Sequence, residues 1–395
     1  MIYLDNGATT KVAPEVLEAM LPWFCEKYGN PSAVYTSGQA GKKAVNEARR
    51  KIAAVIGAGQ EEIFFTSGGT ESDNWALKAA AESRGHRGRH IVTTKIEHHA
   101  VLHTCRFLER QGFEVTYLDV DREGMVDKEA LKAAIRTDTI LISVMYANNE
   151  IGTIEPVREI GEIARERGIL FHTDAVQAFG QIPINAEEMK IDLLSASAHK
   201  LNGPKGVGML YVRPGVELGP FMHGGGQERG FRAGTENVPG IVGFGAAADR
   251  ALSRMTEKAE KERALRDHLI RRIENEIPYC RLNGHREKRL PGNVNFSFRF
   301  VQGEALAIAM DMKGVCVSSG SACTVDDGEP SHVLLAAGLG KEEAHGALRM
   351  TVSAENTAEE TDRAVDILKQ AVCRLREMSS AYRNFTAGRG TVSQG

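Results

Sequence analysis

From about residue 60 to residue 212, short runs rich in β-branched and aromatic residues alternate with longer stretches whose apolar residues recur at helical spacing. The short runs are 62–67 (EIFFTS), 90–94 (HIVTT), 114–120 (EVTYLDV), 139–147 (TILISVMYA), 169–175 (ILFHTDA), 192–198 (DLLSASA) and 206–212 (GVGMLYV). Helical patterns fill the intervals at 70–83, 99–112, 127–136 and 156–168. The runs are apolar at consecutive positions, as strands buried on both faces of a mainly parallel sheet require. In such a sheet the strand C-terminal ends share one edge, where open α/β folds bind their ligands.

After about Pro239 the pattern changes. Residues 241–277 read as one long amphipathic helix, long enough to bridge two domains. Beyond it, strand-like runs at 292–300, 315–319 and 347–353 mix with helical ones at 304–314, 332–339 and 358–378, a smaller α+β unit. The final residues, RNFTAGRGTVSQG, have no periodicity and predict a frayed tail.

The chain has 395 residues, a prior of two to three domains at about 150 each. Hydrophobic residues at 42% and charged ones at 26% exclude wholesale disorder. A net charge of −3 argues against a globally basic nucleic-acid binder. No apolar run approaches the ~20 residues of a membrane-spanning helix. The N-terminus MIYLDNGATT carries no signal-peptide pattern, so the expected location is cytoplasmic. Six cysteines (Cys25, Cys105, Cys280, Cys316, Cys323 and Cys373) form no CxxC pair and no Cys/His cluster, so no metal site or disulfide framework is expected.

Polar residues gather where the predicted strands end. At 64–72 (FFTSGGTES), Ser67, Gly68, Gly69 and Thr70 precede a helix. Free backbone N–H groups and the helix dipole there suit an anion, although an ordinary glycine turn with an N-cap would read the same way. Asp174 follows a buried strand, placed either to hold a heterocyclic nitrogen protonated or to cap the next helix. Ser195, Ser197, His199 and Lys200 end the next run, where Lys200 is either an aldehyde-capturing amine or a solvated charge. Asn148 and Asn149 orient a ligand oxygen or form an Asx turn. His98 and His99 stack on a planar ligand or simply open a helix. Taken together, a phosphate cradle, an acid for a ring nitrogen, an amide for a ring hydroxyl, an aromatic for a ring face and a lysine for an aldehyde describe pyridoxal 5′-phosphate.

These blocks, with YLDNGATT, YGNPSA, TSGGTESDN, ANNEIGT, HTDAVQAFG, SAHKLNGPKGVG, HGGGQERGFRAGTENV, SSGSACT and EPSHVL, resemble the NifS/IscS-type cysteine desulfurases of the fold-type I pyridoxal-phosphate enzymes over nearly the whole chain. The resemblance implies an α/β fold: a large, mainly parallel-sheet domain over 14–250, and a smaller α+β C-terminal domain from 1–13 plus 251–380 carrying a catalytic cysteine loop. It leaves 381–395 as a flexible tail. It implies that Lys200 forms the Schiff base and Asp174 partners the pyridine nitrogen. Gln177 and Asn149 would contact the ring hydroxyl, with His98 stacked on the ring and moving protons. Gly69, Thr70, Ser197 and His199 would bind the phosphate, and Thr235 would reach the phosphate of the neighbouring subunit of a homodimer. Arg349 would pair with the substrate carboxylate, Asn149 assisting.

The same resemblance makes Cys323, in the polar stretch SSGSACTVDDGEPS, the residue that takes sulfur from L-cysteine as a persulfide and leaves L-alanine. A mobile loop there would carry the sulfur to an acceptor, with an iron–sulfur scaffold protein expected and tRNA thiolation as the other route. Cys323 would be a transient cluster ligand together with such a scaffold. Cys316 reads as a structural strand thiol. A selenocysteine lyase or another lyase or aminotransferase on the same fold stays open. The chain departs from the family pattern at Tyr35, at Ala354 and at the acidic pair Asp326 and Asp327.

Overall fold

A computed structural model describes residues 1–319 and 329–390. Cys323, Asp326 and Asp327 lie outside the described residues. The strands are β1 (Ile2–Tyr3), β2 (Ile63–Thr66), β3 (His90–Thr94), β4 (Glu114–Leu118), β5 (Thr139–Ser143), β6 (Leu170–Asp174), β7 (Leu193–Ser197), β8 (Gly208–Val212), β9 (Cys280–Leu282), β10 (Asn293–Phe298), β11 (Val315–Cys316), β12 (Ser318–Ser319) and β13 (Ala347–Thr351). The helices are α1 (Pro14–Met20), α2 (Pro22–Cys25), α3 (Thr36–Val55), α4 (Gly69–Arg84), α5 (His99–Glu109), α6 (Lys128–Ala134), α7 (Val157–Glu166), α8 (Val238–Glu276), α9 (Gly303–Asp311), α10 (His332–Ala336), α11 (Lys341–His345), α12 (Ala358–Met378) and α13 (Ser380–Gly390).

Seven strands form the main sheet in the order β2-β8-β7-β6-β5-β3-β4. Strand β8 runs antiparallel to both neighbours and the remaining pairs are parallel, so the sheet is mainly parallel, as its apolar runs predict. Strands β3, β5, β6 and β7 are buried at every position, because helices cover both faces. Only β4, at the sheet edge, exposes residues. The C-terminal ends of β2, β3, β5, β6 and β7 therefore meet along one edge.

Helix α8 is capped by Asn237, whose side chain accepts from the N–H of Gly240. Its first third, with Ile241, Phe244 and Ala248, packs into the core beneath the main sheet. Close contact with α3 is possible because Gly245 has no side chain: a Cβ there would lie 2.6 Å from the Cα of Ala48. Its last third, with Leu265, Leu269 and Ile273, enters a second core built on the sheet β12-β13-β10-β9. One helix thus feeds two hydrophobic clusters.

The N-terminal segment joins that second core. Strand β1 pairs in parallel with β11, and Asp5 bridges Thr351. The chain then crosses to the main sheet, where the N–H of Thr10 donates to the carbonyl of His199 at 2.9 Å. Residues 6–9 consequently run along the seam.

The tail expected to lack structure from residue 381 is instead helical through Gly390. Tyr382 and Phe385 pack on Tyr279 and Phe300, with ring centroids 4.9 Å apart for Phe300 and Phe385. That aromatic burial outweighs the poor helix propensity of the glycines and threonines around it. No helix among the described residues is long and apolar enough to cross a membrane.

Candidate active site

Where the five strand ends meet, a cleft of about 340 Å³ opens between the main sheet and the N-terminal crossing segment. Every expected site residue within the described part of the chain lines it except Thr235.

Asp174 ends β6. It is buried, and its Oδ1 accepts the N–H of Val176 at 2.9 Å, the local Asx contact of a residue at a strand end. Burial pushes its carboxyl above the ordinary range, opposed by that hydrogen bond and by the charge of Lys200. A cation brought against it would restore full ionisation.

Lys200 closes the single helical turn that follows β7. Its Nζ donates to the carbonyls of Gly7 at 2.6 Å and Ala8 at 2.8 Å. Gln177 donates from Nε2 to the same Gly7 carbonyl at 3.0 Å. The crossing segment, which nothing in the strand pattern singles out, is therefore what holds the lysine in the cleft.

His98 caps α5. Its Nδ1 accepts the N–H of Ala100 at 3.1 Å, so the neutral ring carries its proton on Nε2. Burial first, and then the charge of Lys200, draw its pKa down to about 4. The same two causes act on His199, also drawn to about 4, whose Nδ1 lies 3.1 Å from the hydroxyl of Thr9.

At the start of α4, Gly68 occupies the N-cap position without a side-chain cap, leaving first-turn N–H groups to a ligand. Gly69 presses against the loop after β6: a Cβ on it would sit 2.5 Å from Cγ2 of Val176. Thr70 and Ser197 flank this turn in the cleft wall. On the opposite wall, Arg349 from β13 donates Nη1 to the carbonyl of Asn149 at 3.0 Å and Nη2 to Asp5 at 2.9 Å. Its Nε is buried without a partner, so the guanidinium keeps a spare donor for a carboxylate.

This donor set fits pyridoxal phosphate. The uncapped helix start with Thr70, Ser197 and His199 suits a phosphate, buried Asp174 suits a protonated ring nitrogen, and Lys200 suits an aldehyde. Thr235 is exposed and lies outside this cleft. Cys316 is half-buried in β11, with its thiol pKa raised by burial and by Asp311 and Asp5. Asp73, Asp5 and the carbonyls of Gly7 and Ala8 belong to the site but escaped sequence reasoning. The one available signal was spacing: Asp73 follows Thr70 by three positions and so shares its helix face.

Known proteins give the arrangement a context. The model of the family described as Aminotransferase class-V matches residues 2–364. A cysteine desulfurase IscS of Clostridium botulinum (strain Hall) is 54% identical over 386 residues, covering 97% of both chains. One from Methanosarcina thermophila is 54% identical over 378 residues, covering 96% of this chain and 93% of that one. Among solved structures, a NifS-like protein superposes with a TM-score of 0.89 at 41% identity, covering 94% of this chain and 99% of its own.

Proposed function

Since the chain belongs to the aminotransferase class-V family, we propose that it is a pyridoxal-phosphate-dependent cysteine desulfurase. L-cysteine and the thiol of Cys323 give L-alanine and a persulfide on Cys323. The observation that carries this reading is the convergence of Lys200, Asp174 and His98 on one cleft beside an uncapped helix start.

When bound, the cofactor supplies an aldehyde and an electron-withdrawing ring. Lys200 Nζ holds the aldehyde end, and Asp174 holds a proton on the ring nitrogen. Gly69, Thr70, Ser197 and His199 bind the phosphate, while Gln177 and Asn149 orient the ring hydroxyl. Arg349 binds the substrate carboxylate. Lys200 Nζ and His98 Nε2 move protons to and from the substrate carbons. The thiolate of Cys323 attacks the substrate sulfur, the carbon–sulfur bond breaks, and the carbon takes a proton to complete alanine.

The assembly proposed is a homodimer, in which Thr235 completes the partner's phosphate site. Its position on an exposed loop outside its own cleft supports this, as does an apolar surface at Leu17, Leu21, Phe24 and Val34. The acceptor proposed is an iron–sulfur scaffold protein, following the motif resemblance, and the location proposed is cytoplasmic.

Incubation with L-cysteine followed by peptide mass analysis tests the reading. One added sulfur atom is expected on the Cys323 peptide, and none in Lys200→Ala. Alanine formation with no sulfur ever carried on Cys323 would overturn it.

A further inference from the structure

Behind Asp174 lies a second carboxyl group without an assigned task. Asp73, on the α4 face shared with Thr70, lines the same cleft and is 1% exposed. Its Oδ1 has no hydrogen-bond partner. The groups packed against it come from three elements. From β6 come Asp174 and His172, whose Nε2 is 3.6 Å from Oδ1; from β7 comes the hydroxyl of Ser195; and from the turn after β3 comes Glu97.

None of these supplies a positive charge. His172 has both ring nitrogens occupied by hydroxyls, Ser143 at 2.9 Å and Ser195 at 3.0 Å, and full burial holds it neutral. Asp174 and Glu97 are acids. Two carboxylates in one dry pocket cannot both ionise cheaply, and a buried anion without a cationic partner takes up a proton instead. Burial, then Asp174 and Glu97, accordingly push Asp73 well above the usual carboxylate range, opposed only by the hydroxyl of Ser195. Asp174 differs in feeling the charge of Lys200, which favours its ionised form.

We propose that Asp73 stays a neutral carboxylic acid, so that Asp174 alone carries the negative charge presented to the cofactor's ring nitrogen. This rests on the pyridoxal-phosphate reading above. The proton on Asp73 is what lets Asp174 remain ionised. Were Asp73 the anion, the shared proton would sit on Asp174 and the ring nitrogen would lose its counter-charge.

Asparagine is the isosteric mimic of a neutral aspartic acid, which makes the test sharp. The full-length protein is stripped of cofactor and titrated with pyridoxal phosphate, following its absorbance. In Asp73→Asn the dissociation constant at neutral pH is expected to stay within about threefold of the wild type, whereas Asp174→Asn loses more than about tenfold, one pK unit of charge interaction. Asp73→Ser, small and neutral, carries the same expectation should the asparagine variant fail to fold. On the cofactor-free protein, an infrared difference spectrum between wild type and Asp73→Asn is expected to show the carbonyl stretch of a protonated carboxyl group. A tenfold or greater loss of affinity in folded Asp73→Asn, on the order of one pK unit, overturns the proposal. So does a difference spectrum showing an ionised carboxylate. If wild-type protein and Asp174→Asn bind pyridoxal phosphate equally poorly, the cofactor reading fails, and the infrared result still decides the protonation of Asp73.

Discussion

Arg349 and Asp5 form an ion pair at 2.9 Å that ties β13 to the N-terminal segment at the wall of the cleft. The second Arg349 nitrogen reaches the carbonyl of Asn149, and the third is left over. A lysine has one compact ammonium and cannot reproduce that fork. In Arg349→Lys the KM for L-cysteine should rise by about tenfold or more, with a smaller change in kcat, consistent with loss of a bidentate carboxylate contact. Steady-state kinetics check this, and an unchanged KM removes Arg349 from the substrate site.

His98 resists protonation in the folded protein. Its folded pKa of about 4 lies below the 6.5 of an ordinary histidine. In that window the unfolded chain binds a proton that the folded one refuses, so stability is present above 6.5 and is lost as the pH falls toward 4. Nuclear magnetic resonance of the cofactor-free protein should find the His98 ring neutral through the range where ordinary histidines titrate. His98→Asn should flatten the acid side of a denaturation-midpoint profile.

Glu155 has the opposite sign. Burial raises its pKa from 4.5 to about 8, so the folded protein holds a proton that the unfolded chain has released. Stability from this group is complete at acid pH and declines as the pH rises from 4.5 through 8. Its Oε2 accepts the N–H of Val126 at 3.0 Å, a bond that glutamine can keep. Glu155→Gln should therefore melt higher than wild type at pH 8 and like it at pH 5, as read by calorimetry at pH values on the two sides of the window.

The loop that carries Thr235 is anchored by a buried pair. Arg49 grips both oxygens of Glu228 at 2.8 and 2.7 Å, and Glu228 also accepts the N–H of Phe65. Glu228 pays for this with a left-handed backbone at φ 43°. Arg49→Ala leaves an unpaired buried carboxylate and should destabilise by about 3–5 kcal/mol. Arg49→Ala/Glu228→Gln should recover part of that loss in chemical denaturation. Additive losses would show that the pair does not act as a unit.

Tight packing at the helix start makes a final expectation. Gly69→Ala places a methyl group 2.5 Å from Val176 and must push α4 away from the loop after β6. Phosphate affinity should fall with it: a loss of about tenfold in pyridoxal-phosphate binding corresponds to the lower end of overpacking costs. Equilibrium titration measures it, and unchanged affinity would mean that the cradle tolerates the shift.

Much of this site is legible in the sequence. Lys200, Asp174, His98 and Gly69 stand where an apolar run ends, and the parallel arrangement that such runs demand carries their ends to one edge. Asp73 was hidden because its helix reads as an ordinary amphipathic segment. An aspartate one turn inside a helix looks solvated until the sheet beneath it is placed. The helical C-terminus was hidden for a related reason: only contact with Tyr279 and Phe300, far back in the chain, gives Tyr382 and Phe385 something to pack on.

Local pattern alone determined the seven strands of the main sheet, the long α8 helix and the chemical types available at each strand end, because periodicity and burial preference act over a few residues. Tertiary structure decided what those types become. The carbonyls of Gly7 and Ala8 meet Lys200 across 193 and 192 positions of chain. Asp5 meets Arg349 across 344, and Asp73 loses its water only when β6 and β7 close over it. Backbone direction and dielectric surroundings belong to the assembled protein, and it is they that set which amine is held, which acid is charged and which stays neutral.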